Sequence, residues 1–173
     1  MSETATILLV EDRDDDIFLT ERALIRACVT NPLRVVKSGD EAVAYLSGHG
    51  RYSNRSDYPL PSLILLDLKM PGMDGFDLLK WIREQPATRN VIVVVLTSSD
   101  RIRDVNQAYA LGANSFLVKP LDFEKYIGLG KFLREHWMKG VPMQDSFGQE
   151  TSGQTVPEAF RAQGLPGRPQ PGA

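Results

Sequence analysis

The sequence predicts an α/β fold in which a five-stranded parallel sheet is flanked by five helices. Three observations predict it. Five short runs of mostly Val, Ile and Leu, "TILLVE" (6–11), "LRVV" (33–36), "LILLD" (63–67), "VIVVVLT" (91–97) and "SFLV" (115–118), are near-continuously apolar, as strands buried on both faces are. Segments with helical spacing of apolar residues lie between them, so a βα unit is repeated five times. A length of 173 residues, 42% of them hydrophobic and 24% charged, suits one globular domain with some chain left over.

Each helix rests on its own pattern. Ile17, Leu24 and Ala27 or Cys28 recur at helical spacing after the first strand, and "GDEAVAYL" (39–46) supplies the second helix. Phe76, Leu79 and Ile82 mark the third, Ile102, Val105 and Tyr109 the fourth, and "FEKYIGLGKFLREHW" (123–137) the fifth. Asp14, Asp15 and Asp16 sit where they favour the positive end of the first helix dipole. Asp100 is placed to cap the fourth helix, with Ser98 and Ser99 as alternatives.

Two segments depart from this rhythm. The polar stretch "GHGRYSNRSDYPLP" (48–61) exceeds the roughly 2 to 6 residues usual for such a connection. It is either a binding loop or a surface excursion held by Tyr52 and Tyr58. From Gly140 to Ala173, Gly and Pro become dense and apolar periodicity disappears. The folded domain is therefore placed at 1–139, with a tail at 140–173 whose docking place, on the domain or on a partner chain, stays open.

Charge and composition exclude several classes. A formal net charge of −2 gives no electrostatic reason to expect nucleic acid, and the tail offers only Arg161 and Arg168 as cations, with no helix-turn-helix pattern. The single thiol, Cys28, forbids an intrachain disulfide or a multi-cysteine metal site and fits a reducing cytoplasm. The run "VIVVVL" falls far short of the roughly 20 residues of a membrane helix, and Glu3 stands where a signal peptide is basic. A cytoplasmic protein with no membrane segment is expected.

In a parallel sheet all strand C-termini reach one edge, and ligands bind there. Glu11 and Asp12 end the first strand, Asp67 the third, Thr97 the fourth and Lys119 the fifth. Taken singly, each has a plain role as a cap, a turn residue or a surface charge; their combination points to a site. Three crowded carboxylates repel one another, and such a cluster persists when a cation compensates it. All-oxygen ligands select a hard cation. Mg²⁺, which takes one or two carboxylates and is completed by phosphate oxygens, is the natural choice.

Through "LLVED" (8–12), "LLDLKMPGMDG" (65–75), "VVLTSS" (94–99) and "GANSFLVKP" (112–120), in that order, the chain resembles the receiver domains of two-component response regulators over about residues 4 to 138. The resemblance implies a doubly wound, flavodoxin-like sheet of order 2-1-3-4-5. It implies that Asp67 accepts a phosphoryl group from a phosphohistidine of a sensor histidine kinase. Glu11, Asp12 and Asp67, with the backbone carbonyl of Lys69, would hold Mg²⁺. Thr97 and Lys119 would contact the phosphoryl group, and Lys119–Pro120 would be a cis peptide. The long 48–61 loop and the lack of an output domain look most like the small stand-alone regulators of phytochrome-type kinases.

The chemistry is in-line transfer by positioning and electrostatics, with a carboxylate oxygen of Asp67 attacking phosphorus. No histidine is needed, and His49 and His136 read as surface residues. Gly72 and Gly75 either bring backbone close to the phosphorylation site or simply make the turn. Charge-assisted hydrogen bonds from Thr97 and Lys119, roughly 1.5 to 3 kcal/mol each, nearly reach the roughly 5.5 kcal/mol that inverts a 1:99 equilibrium. Phe116, where many family members carry Tyr, either swings in behind Thr97 or is permanently buried core. Lys69 and Ser99, each two residues beyond Asp67 and Thr97, tune the lifetime of the phosphorylated state.

Such a protein is not an enzyme beyond its own phosphorylation and dephosphorylation. The alternative is a small-molecule phosphatase that forms an aspartyl-phosphate. "EDRD" offers Asp12 and Asp14 at the spacing that class uses, but this leaves Asp67 unexplained and provides no cap domain. In the fifth helix Tyr126, Leu129 and Phe132 fall outside the stripe Phe123, Ile127, Gly130, Leu133 and Trp137. That surplus predicts a twofold homodimer through helix four, strand five and helix five. Its rival is a tail that folds back through Val156, Phe160 and Leu165.

Overall fold

Five parallel strands form one sheet in the order β2-β1-β3-β4-β5, in a computed structural model that describes residues 5–138. The strands are β1 (Ile7–Val10), β2 (Leu33–Val36), β3 (Leu63–Leu66), β4 (Ile92–Thr97) and β5 (Ser115–Val118). They alternate with α1 (Asp14–Arg26), α2 (Gly39–Ser47), α3 (Gly75–Glu84), α4 (Ile102–Ala110) and α5 (Phe123–Leu133), the last running on into a π-helical turn, Arg134–Met138. This is the expected topology, in parallel register throughout. The tail expected at 140–173 lies outside the described residues.

Alternate residues of each strand feed two separate cores, because successive side chains point to opposite faces. Leu8, Val10, Ile64, Leu66, Val93, Val95 and Phe116 pack with α2, α3 and α4. Ile7, Leu9, Leu63, Leu65, Val94, Leu96 and Leu117 pack with α1 and α5. Those last two helices lie close together at Gly130, where a Cβ would come within 2.4 Å of the Ala23 carbonyl oxygen.

That close approach corrects the expected fifth helix. Tyr126, Leu129 and Phe132 are buried together with Gly130, Leu133 and Trp137, while Phe123 and Ile127 are only half-buried. The sequence stripe was drawn for one neighbour, the sheet, but α5 has two, the sheet and α1. The surplus apolar surface offered as a reason for a homodimer is consumed within the chain. His136 is half-buried, its ring 4.4 Å from that of Phe132, rather than a surface residue.

Two helix ends also differ. Cys28 is exposed, in the left-handed region at φ 58°, because α1 stops at Arg26 and the Cys28 and Val29 N–H groups close the end on the Ile25 and Leu24 carbonyls. Asp100 is not the cap of α4. The helix starts one residue later, at Ile102, so the cap position falls on Arg101, and its backbone N–H donates to the Ser99 hydroxyl.

The 48–61 loop is held as an excursion. Rings of Tyr45, Tyr52 and Tyr58 meet at centroid distances of 5.0 to 6.0 Å. Arg55 donates to the Tyr45 and Leu46 carbonyls at 2.7 Å each, closing the end of α2, and to the Tyr58 carbonyl at 3.1 Å.

Candidate functional site at the acidic edge

The ends of β1, β3, β4 and β5 bring the expected side chains together. The Asp67 N–H donates to the Val10 carbonyl at 3.1 Å and the Lys119 N–H to the Thr97 carbonyl at 2.7 Å, so strand pairing itself carries these residues to one edge. Asp67 is 4% exposed, Glu11 2% and Thr97 fully buried. One carboxylate oxygen from each of Glu11, Asp12 and Asp67 lies within 4.8 Å of the others. Asp12 Oδ1 is buried and accepts no hydrogen bond.

Lys119 answers this charge from the end of β5, an outer strand. Its ammonium donates to Glu11 Oε2 and, at 2.9 Å, to Asp16 Oδ2, and lies 3.5 Å from Asp67 Oδ2. Burial works against the charged lysine, but Asp67, Glu11 and Asp16 outweigh it and raise its pKa, so Lys119 stays protonated. Burial pushes the Glu11 carboxyl up to about 7, against the lysine that draws it down, and Asp67 adds to the rise. With Lys119 held charged, we take the Glu11–Lys119 pair as ionised.

The Lys119–Pro120 peptide is trans, since no cis peptide occurs among the described residues. This corrects the expected cis bond. Trans is the intrinsically preferred isomer before proline, by about 0.5 to 1 kcal/mol, and Lys119 reaches Glu11, Asp16 and Asp67 with it. Lys69 is exposed, and its backbone N–H donates to Asp67 Oδ1 at 3.3 Å. The two glycines divide the roles foreseen for them. A Cβ on Gly75 would sit 2.4 Å from the Asp67 carbonyl oxygen, a true close approach, whereas Gly72, at φ 78° with open space around it, makes the turn.

On the α4 side, Thr97 Oγ1 accepts from the Ser99 N–H at 3.4 Å, and the Ser99 hydroxyl donates to the buried Asp104 on α4. Phe116 is fully buried, and its backbone N–H donates to the Tyr109 hydroxyl at 3.1 Å. Sequence reasoning missed the pairing of Asp16 with Lys119 and of Asp104 with Ser99. Asp16 had a readable signal: it begins the helical series 16, 20, 23, 27, whose other members, Thr20, Ala23 and Ala27, are all buried.

The donor set, three carboxylates with one unsatisfied buried oxygen, fits a hard divalent cation. Asp67, one of the three, is buried, and the charged Lys119 stands beside it. The edge of this parallel α/β sheet thus joins a carboxylate set suited to a hard cation with a charged lysine. The model of the response regulator receiver domain matches residues 7–129, and the chain belongs to that family. "Probable methanogenesis regulatory protein FilR2" of Methanothrix harundinacea is 37% identical over 132 residues, 76% of this chain and 83% of that protein. "Response regulator Rcp1" of Synechocystis sp. is 34% identical over 137 residues, covering 79% and 91%. The Mn(2+)-bound form of Rcp1 has been solved and superposes with a TM-score of 0.71, covering 79% of this chain and 96% of that one at 33% identity. The phosphorylated cyanobacterial phytochrome response regulator RcpA superposes with a TM-score of 0.73 at 34% identity, again covering 79% and 96%.

Proposed function

We propose that Asp67 is the phosphoryl acceptor of a two-component pathway and that a sensor histidine kinase of the phytochrome type is the donor. The observation that carries this reading is Asp67 itself, 4% exposed, with Lys119 Nζ at 3.5 Å and two further carboxylates beside it. A Mg²⁺ ion held by Glu11, Asp12 and Asp67, with the Lys69 carbonyl, would offset the charge of the acceptor and of the incoming phosphoryl oxygens. Lys119 supplies a further positive charge. Thr97 presents a hydroxyl that donates to the phosphoryl group once it turns from its present partner, and Phe116 repacks behind it. The phytochrome-type donor is supported by the description of RcpA as a phytochrome response regulator.

The domain spans 1–139 in this reading and acts in the cytoplasm as a signalling protein, not as an enzyme turning over small molecules. The phosphatase alternative is not favoured, since the matching proteins are response regulators. A twofold dimer through α4, β5 and α5 rests on the family resemblance alone, because α5 keeps its apolar groups within the chain; sedimentation with and without phosphorylation tests it. Among the exposed apolar side chains, Ile102 and Leu121 lie in the segments that follow β4 and β5, where a kinase would approach this edge.

The experiment is transfer of label from autophosphorylated kinases, or from acetyl phosphate, to the wild type and to Asp67→Asn. Hydroxylamine-sensitive label on the wild type, absent from Asp67→Asn and from reactions with excess chelator, is expected. Full uptake by Asp67→Asn would remove Asp67 as the acceptor.

A further inference from the structure

We infer that Asp16 on α1 is a positioning residue that draws the Lys119 ammonium away from Asp67. Lys119 has three N–H donors. Two are engaged, by Glu11 and by Asp16 at 2.9 Å, while the 3.5 Å separation from Asp67 is beyond a normal hydrogen bond. Asp16 stands apart from the acidic triad of Glu11, Asp12 and Asp67, and its Oδ2 serves the lysine while also lying 3.7 Å from the exposed Arg13 guanidinium. Its side chain is 18% exposed, against 68% for Arg13 and 7% for Lys119, so its better-shielded partner is the lysine.

The consequence is a competition. Lys119 and a divalent cation want the same oxygens, those of Glu11 and Asp67. Asp16 draws the ammonium toward α1 and keeps it from closing on Asp67, while Glu11 stays engaged by the lysine. Without Asp16 the ammonium closes on Asp67 as well as on Glu11, screening the acceptor carboxylate and opposing the metal.

The inference rests on the reading of this edge as a metal and phosphoryl site, and calorimetric titration of the unphosphorylated chain with Mg²⁺ tests it separately from phosphoryl uptake. Asp16→Asn is expected to weaken Mg²⁺ binding about fivefold, a coupling in the usual range for contacting groups. Asp15→Asn removes the same charge from the exposed side of α1 and leaves affinity within about twofold. Lys119→Met tightens binding, and in that background Asp16→Asn does no more than Asp15→Asn. In label uptake, Asp16→Asn raises the half-saturating Mg²⁺ concentration and keeps the maximal rate. If Asp16→Asn matches Asp15→Asn, or keeps its full effect after Lys119→Met, or if the wild type binds no Mg²⁺, the inference fails. A wild type that binds Mg²⁺ but takes up no label would end the phosphoryl reading and leave the role of Asp16 standing.

Discussion

Glu41 and Glu11 are the same residue in opposite circumstances. Burial alone would raise the Glu41 carboxyl, but the Lys37 N–H at 2.8 Å, the Tyr52 hydroxyl at 2.6 Å and the Arg51 guanidinium close around it and hold it below the usual carboxylate range. Glu11 accepts from Lys119 and from the Arg13 N–H at 3.1 Å, yet burial and Asp67 push it up to about 7. A carboxylate surrounded by donors is structural: it ties α2 to the 48–61 loop. One crowded by other carboxylates keeps an unmet demand for positive charge, and that demand is what a binding site consists of.

The comparison can be broken by removing one group at a time and following urea unfolding. Lys119→Ala has the largest expected effect, about 3 to 5 kcal/mol lost, because it strands buried charges without a partner. Millimolar Mg²⁺ should restore part of this loss, and a variant as stable as the wild type would show that the carboxylates do not need the lysine. Next, Mg²⁺ at a hundred times its Kd should stabilise the wild type by about 2.7 kcal/mol. Asp12→Asn should lose most of that gain, and an undiminished gain would place the metal elsewhere.

Glu41→Ala should cost about 1 to 3 kcal/mol by leaving the Tyr52 hydroxyl and the Lys37 N–H unmatched, with the gain from Mg²⁺ intact. A lost gain would mean that the two regions are one. The smallest effect belongs to Asp67→Asn, an increase on the order of 1 kcal/mol from relieved repulsion. If this variant were less stable, the crowding at the acidic edge would be ruled out as a net cost to the fold.

The strands and the principal site residues were legible because their signals are local. An apolar run that ends on a polar residue, as "LILLD" does, places Asp67 at a sheet edge without knowledge of any neighbour. Thr97 and Lys119 follow by the same reasoning from β4 and β5. Asp16 was hidden because it resembles its neighbours. Asp14 and Asp15 are exposed at the same helix start, and it is the contact with Lys119, far along the chain, that separates the third Asp from the other two. The dimer argument failed for the same reason, since the apolar surplus of α5 is matched by α1, 103 residues away in the chain for the close pair Ala27 and Gly130.

By itself the sequence determined the element order, the parallel sheet and the acidic edge, because side-chain period and strand ends depend on residues a few positions apart. Tertiary structure alone decided which charges face each other. Lys119 meets Asp16 across 103 positions, and Gly130 admits the Ala23 carbonyl only once two helices have docked. Electrostatics falls off with distance in space and is indifferent to distance along the chain, so the partners of a buried charge cannot be read from its neighbours in sequence.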